Sequence, residues 1–156
     1  MSRDFEPTKQ KSLSKQNKTK YNISSCERRF VRAYENLRRE GVHMPTVTSD
    51  LVKQYVELLS KIYGDHLKTV ILYGSYARGD YTEDSDIDIM VLLDLSDMDI
   101  KKYRHELSGM TYDFNMDYDL EIKPIAKNKE HFNKWVDVYP FYANIEREGV
   151  KLFDAA

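Results

Sequence analysis

Apolar side chains recur along this chain at two spacings, and each spacing predicts an element. Phe30, Val31, Tyr34 and Leu37 form one stripe at helical period, with Ser24 or Ser25 as a cap and Gly41 as a stop, so a helix is expected over 26–40. Leu51, Val52, Tyr55, Val56, Leu58, Leu59 and Ile62 make a broader face. They predict a helix near 50–64, opened by Thr48, Ser49 or Asp50 and ended by Gly64. The runs LKTVILY (67–73) and SDIDIMVLL (85–93) are short and apolar, and read as buried strands.

Further on, Ser96 and Asp97 can cap a helix near 97–110 that turns Ile100, Tyr103, Leu107 and Met110 inward. In DYDLEIKPIA (117–126), Tyr118, Leu120 and Ile122 alternate with Asp119, Glu121 and Lys123, which predicts a third strand. A helix near 128–138 carries Phe132, Trp135 and Val136. Pro140 opens a last helix that stops at Gly149, and VKLF closes as a short strand. Strands alternating with helices predict an α/β fold of modest size.

Charge divides the chain. Residues 1–49 hold eleven basic against five acidic side chains, whereas residues 50–156 hold thirteen against twenty-one. The acidic bulk argues against a duplex-binding surface, which needs clustered positive charge. Residues 1–22 are rich in Lys, Ser, Gln, Asn and Thr and read as a disordered basic tail. Residues 23–47 read as a helical extension with a linker, and 48–156 as the main domain. No apolar run reaches the roughly 20 residues of a membrane span. Cys26 is the single cysteine, which excludes an intrachain disulfide and fits the cytoplasm.

Candidate chemistry gathers between the first two strands, in LYGSYARGDYTEDSDIDIMV (72–91). Gly74 follows a strand directly, and without a Cβ it lets backbone approach a ligand. Ser75 has a hydroxyl that can donate to phosphate, and a short helix starting there would direct free N–H groups at an anion. Arg78 lies one turn further on, as a charge-assisted phosphate donor. Asp86 and Asp88 are two residues apart on a predicted strand, so both carboxylates share a face. Such a pair repels unless a cation lies between, and magnesium is usually held by one or two carboxylates plus substrate phosphates. Asp119 or Glu121, on the third strand, can supply a third carboxylate. Three carboxylates beside a phosphate-binding turn suit two-metal phosphoryl or nucleotidyl transfer. His43, His66, His105 and His131 lack ligand spacing. The aromatic run at 139–142 reads as core or as a partner surface.

Gly74-Ser75, ten residues and then Asp86-Ile87-Asp88 resembles the signature of the polymerase-beta-like nucleotidyltransferase superfamily, and the short chain is similar to its minimal, MNT-type branch. The resemblance covers roughly residues 50–153. It implies a small mixed β-sheet flanked by helices. It also implies two Mg2+ ions on Asp86 and Asp88, with Gly74, Ser75 and Arg78 holding the triphosphate of ATP or another NTP. The family's third carboxylate lies between apolar neighbours in a strand. Tyr118-Asp119-Leu120 fits this and is preferred, with Leu120-Glu121-Ile122 as the alternative. The implied reaction transfers AMP from ATP to a hydroxyl. About thirty residues follow the third strand, so the acceptor is expected on a partner protein of HEPN type, as for antitoxins of toxin–antitoxin pairs. An antibiotic-modifying adenylyltransferase completed by a homo-oligomer, and a non-catalytic partner-binding module, are the competing expectations.

Overall fold

The computed structural model describes residues 44–155. The tail expected over 1–22 and the helix expected over 26–40 lie outside them. In chain order the elements are α1 (Thr46–Tyr63), a 3-10 turn (Gly64–His66), β1 (Leu67–Tyr73), α2 (Ser75–Arg78), β2 (Ile87–Leu93), α3 (Asp97–Lys102), α4 (Arg104–Tyr118), β3 (Ile122–Asn128), α5 (Lys129–Trp135), α6 (Pro140–Glu148) and β4 (Val150–Asp154).

The strands form one mixed sheet in the order β3-β2-β1-β4. β1 lies antiparallel to both β2 and β4, while β3 runs parallel to β2. Helices cover both faces. On one, Val52, Tyr55, Val56, Leu59 and Tyr63 of α1 and Phe114 of α4 pack against Leu72, Ile87, Ile89 and Val91. On the other, Phe132 of α5 with Tyr142 and Ile145 of α6 packs against Ile71, Met90 and Leu92. This two-sided burial is why β1 and β2 read as unbroken apolar runs rather than as alternating ones. The sheet and its flanking helices are the small mixed α/β architecture expected from the sequence. No helix among the described residues is long and apolar enough to cross a membrane.

Of the boundaries that differ from expectation, three bear on the fold. α1 starts two to four residues early, after Pro45 at φ −53° and without a side-chain cap. Ser49 is inside the helix and buried, so it does not cap it. The single helix expected at 97–110 is two, broken at Tyr103, whose N–H turns back to the Ile100 carbonyl.

The third difference matters most. Residues 117–121 are not strand. α4 runs to Tyr118 and closes on Asp119 in the left-handed region, φ 53°, with its N–H on the Asn115 carbonyl. Phe114 packs on both Tyr55, at 5.3 Å, and Tyr118, at 4.7 Å, so the aromatic spacing here is the i,i+4 of a helix. The Asn115 side chain then accepts from the Ile122 N–H and donates to the Ile122 carbonyl, fixing where β3 begins. Pro124 is accommodated because β3 is an edge strand.

Candidate active site

The site grows out of the β1–β2 pair. Tyr73 lies opposite Asp88 in that pairing, so the residue after Tyr73 arrives beside the Asp88 side chain. That residue is Gly74, at φ 74° and ψ −153°. A Cβ there would sit 2.5 Å from Asp88 Oδ2, so a side chain at this position would push the carboxylate aside. The chain then makes one helical turn, Ser75–Arg78, and leaves it through Gly79 at φ 80°. Tyr76 and Tyr81 stack at 4.3 Å across this exit and anchor the loop to the core.

Ile87 and Ile89 point into the α1 side of the core, so Asp88, between them, faces the other side of the sheet with Met90 and Leu92. Asp86 precedes the first residue of β2 rather than lying within it, but remains aligned because the Ile87 N–H bonds to the Glu121 carbonyl. The two aspartates have opposite electrostatic settings. Burial, followed by the negative charge of Asp86, raises the Asp88 pKa, against the pull of Lys123 and Arg78. A hydrogen bond from Lys123 lowers that of Asp86. Tyr73 is pushed up to about 12, by burial first and then by the Asp88 charge.

β3 supplies the third side of the site. Its parallel register sets Lys123 beside Asp88, on the same face. Lys123 Nζ lies 2.6 Å from Asp86 Oδ2 and 3.3 Å from Glu121 Oε1. Glu121 is therefore joined to Asp86 through one ammonium. Asp119 is exposed at the end of α4, off the strand that would have aligned it. Among the described residues no three His, Cys, Asp or Glu side chains converge closely enough to hold a metal ion without further ligands. The oxygen-only pair of Asp86 and Asp88 nevertheless suits a hard cation such as Mg2+, which completes its shell with substrate phosphates and water. The ammonium already seated on Asp86 shows that this face accepts positive charge.

Arg78 reaches Asp80 at 3.3 Å and Glu148 at 3.9 Å. It stands near enough to Asp88 to lower that carboxyl's pKa. Phe141 meets Tyr73 edge-on at 5.7 Å and forms one wall of a shallow groove with Ile125, Lys127 and Tyr139. Within the run at 139–142, Tyr142 is core while Tyr139 and Phe141 are exposed. His66 is taken up by Asp94 at 2.7 Å, and His131 packs against Trp135 and Tyr142.

Lys123 is the residue of this candidate site that sequence periodicity passes over, since the alternation assigns it only to a polar strand face. Its i,i+2 spacing from Glu121 was the available signal.

Residues 52–152 match the family model described as Nucleotidyltransferase domain. A Methanocaldococcus jannaschii protein provisionally named a protein adenylyltransferase is 36% identical over 102 residues, with 65% of this chain and 94% of that protein covered. A second protein of that organism, under the same provisional name, is 32% identical over 103 residues, with 66% and 96% covered. Among solved structures, a toxin–antitoxin with AMP-PNP is 21% identical, with 65% of this chain and 72% of that one covered and a TM-score of 0.43.

Proposed function

This chain belongs to the nucleotidyltransferase domain family, and from that premise we propose that it transfers AMP from ATP to a hydroxyl on a partner protein. The observation that carries the reading is the approach of Gly74 to Asp88, which brings a side-chain-free turn and a carboxylate pair to one sheet end. The protein acceptor is supported by the two M. jannaschii relatives, whose provisional name matches that activity and whose length this chain spans almost wholly. The motif's resemblance to the minimal branch makes a HEPN-type toxin the expected partner.

In this reading Asp86 and Asp88 would hold Mg2+, which would supply positive charge against the phosphate oxygens. The backbone at Gly74 and Ser75 receives the triphosphate, since the first amides of a helical turn have no acceptor within it. Arg78 adds a charge-assisted donor by exchanging Asp80 for phosphate. We place the third carboxylate at Glu121 rather than Asp119, because Glu121 shares an ammonium with Asp86. The acceptor oxygen bonds to the α-phosphorus while the bond to the bridging oxygen breaks. Pyrophosphate leaves, and Glu121 takes the hydroxyl proton.

The test is transfer of label from ATP labelled at the α-phosphate, with magnesium, in a lysate of the source organism resolved on a denaturing gel. A labelled protein band that requires Asp86 and Asp88 supports the reading. Label only in the small-molecule fraction replaces the protein acceptor with a small one. No transfer at all overturns the reading.

A further inference from the structure

Two carboxylates on one face, without a cation, repel one another. In this protein the cation is part of the chain. Lys123 Nζ is bound to Asp86 at 2.6 Å and to Glu121 at 3.3 Å, and its position in β3 sets it beside Asp88. The lone pairs it engages on Asp86 belong to the oxygen pair that a divalent cation would need. The ammonium and the metal ion therefore cannot both occupy that oxygen at full strength.

The Lys123 side chain is 51% exposed, so packing restrains it only in part. Exposed ion pairs of this kind contribute little, and their long side chains move readily into water. A divalent ion with two carboxylates and substrate phosphates can displace the ammonium, whereas a monovalent ion with one carboxylate gains much less.

We propose that Lys123 is a tethered counter-cation: it occupies the carboxylate face of the metal-free protein, competes with the divalent ion for Asp86, and leaves when that ion binds. The proposal rests on the reading that Asp86 and Asp88 hold the metal. It gives Lys123 a positioning role. The ammonium keeps Asp86 and Glu121 together before loading, and it makes the metal affinity of the empty protein lower than that of a bare carboxylate pair. Loading is then favoured when the metal arrives with a nucleotide, whose phosphates provide the missing ligands.

The experiment is a Mn2+ titration of the nucleotide-free full chain, followed by the electron paramagnetic resonance of free Mn2+ and by calorimetry. The expected result is at least tenfold tighter Mn2+ binding in Lys123→Met, with Lys123→Gln as a second neutral variant and Lys123→Arg within about threefold of the parent. Asp88→Asn should weaken binding in every background. If Lys123→Met and Lys123→Gln bind Mn2+ no more tightly than the parent while Asp88→Asn still weakens it, the counter-cation role is overturned and the metal site stands. If Asp88→Asn binds Mn2+ as the parent does, the metal reading itself falls, and the proposal with it.

Discussion

The backbone of Gly74 lies against the carboxylate of Asp88, so that a Cβ on residue 74 would come within 2.5 Å of Oδ2. With φ at 74°, any L side chain there is also strained. Gly74→Ala should therefore displace Asp88 and cost roughly 1–3 kcal/mol of stability. Because small misplacements of catalytic groups are costly, transfer should fall by about 100-fold or more. Thermal melts and label transfer on the same preparation check both.

Asp86 and Asp88 should respond to neutralisation with opposite signs in chelator. The folded pKa of Asp88 is raised, so its ionisation weakens the fold; the deficit sets in at the ordinary aspartate range near ~4 and is complete once pH has risen through the raised folded value. Asp88→Asn should thus raise the melting temperature at pH 7 and lose that advantage below the ordinary range. Asp86 is lowered by Lys123, so its ionisation supports the fold above the ordinary range, and the support disappears as pH falls through the lowered folded value. Asp86→Asn should lower the melting temperature slightly at pH 7. Melts between pH 3 and pH 8 read both slopes.

Glu121 and Asp119 should separate in function if Glu121 is the third carboxylate. Glu121→Gln should reduce transfer by about 10–100-fold, the range of a positioned proton acceptor. Asp119→Asn should leave transfer within about twofold. It should also keep stability within about 0.5 kcal/mol, since asparagine tolerates the left-handed helix cap. Steady-state rates on the two variants decide which carboxylate serves.

Away from the site, the Thr111 hydroxyl donates to the Leu107 carbonyl, so the Tyr55 hydroxyl is the donor to Thr111 Oγ1, at 2.7 Å. Tyr55→Phe removes this buried bond and should cost about 1 kcal/mol, with transfer unchanged. Urea unfolding and the transfer assay test the two halves.

The placement of Gly74 beside Asp88 in the candidate site was legible because local signals determine it: two apolar runs, and a glycine directly after the first. β1 runs over 67–73 as the pattern predicts. The third strand was misplaced because Tyr118, Leu120 and Ile122 happen to alternate. What decides their structure is distant: Tyr55 packs on Phe114, and Asn115 clamps Ile122. Lys123 stayed hidden for a related reason. Its partner Asp86 is 37 residues upstream and becomes visible only when β2 and β3 are set in register.

Nucleotidyl transfer through Asp86 and Asp88 is what would distinguish this chain from a non-catalytic module of the same fold. The most direct measurement follows ATP labelled at the α- or the γ-phosphate, with magnesium, the chain and its acceptor-containing lysate. The α-label should appear on the acceptor while the γ-label does not, being released in pyrophosphate, and the acceptor signal should be lost in Asp86→Ala/Asp88→Ala. Transfer of γ-label to the acceptor, or undiminished α-label transfer by the double variant, would contradict it.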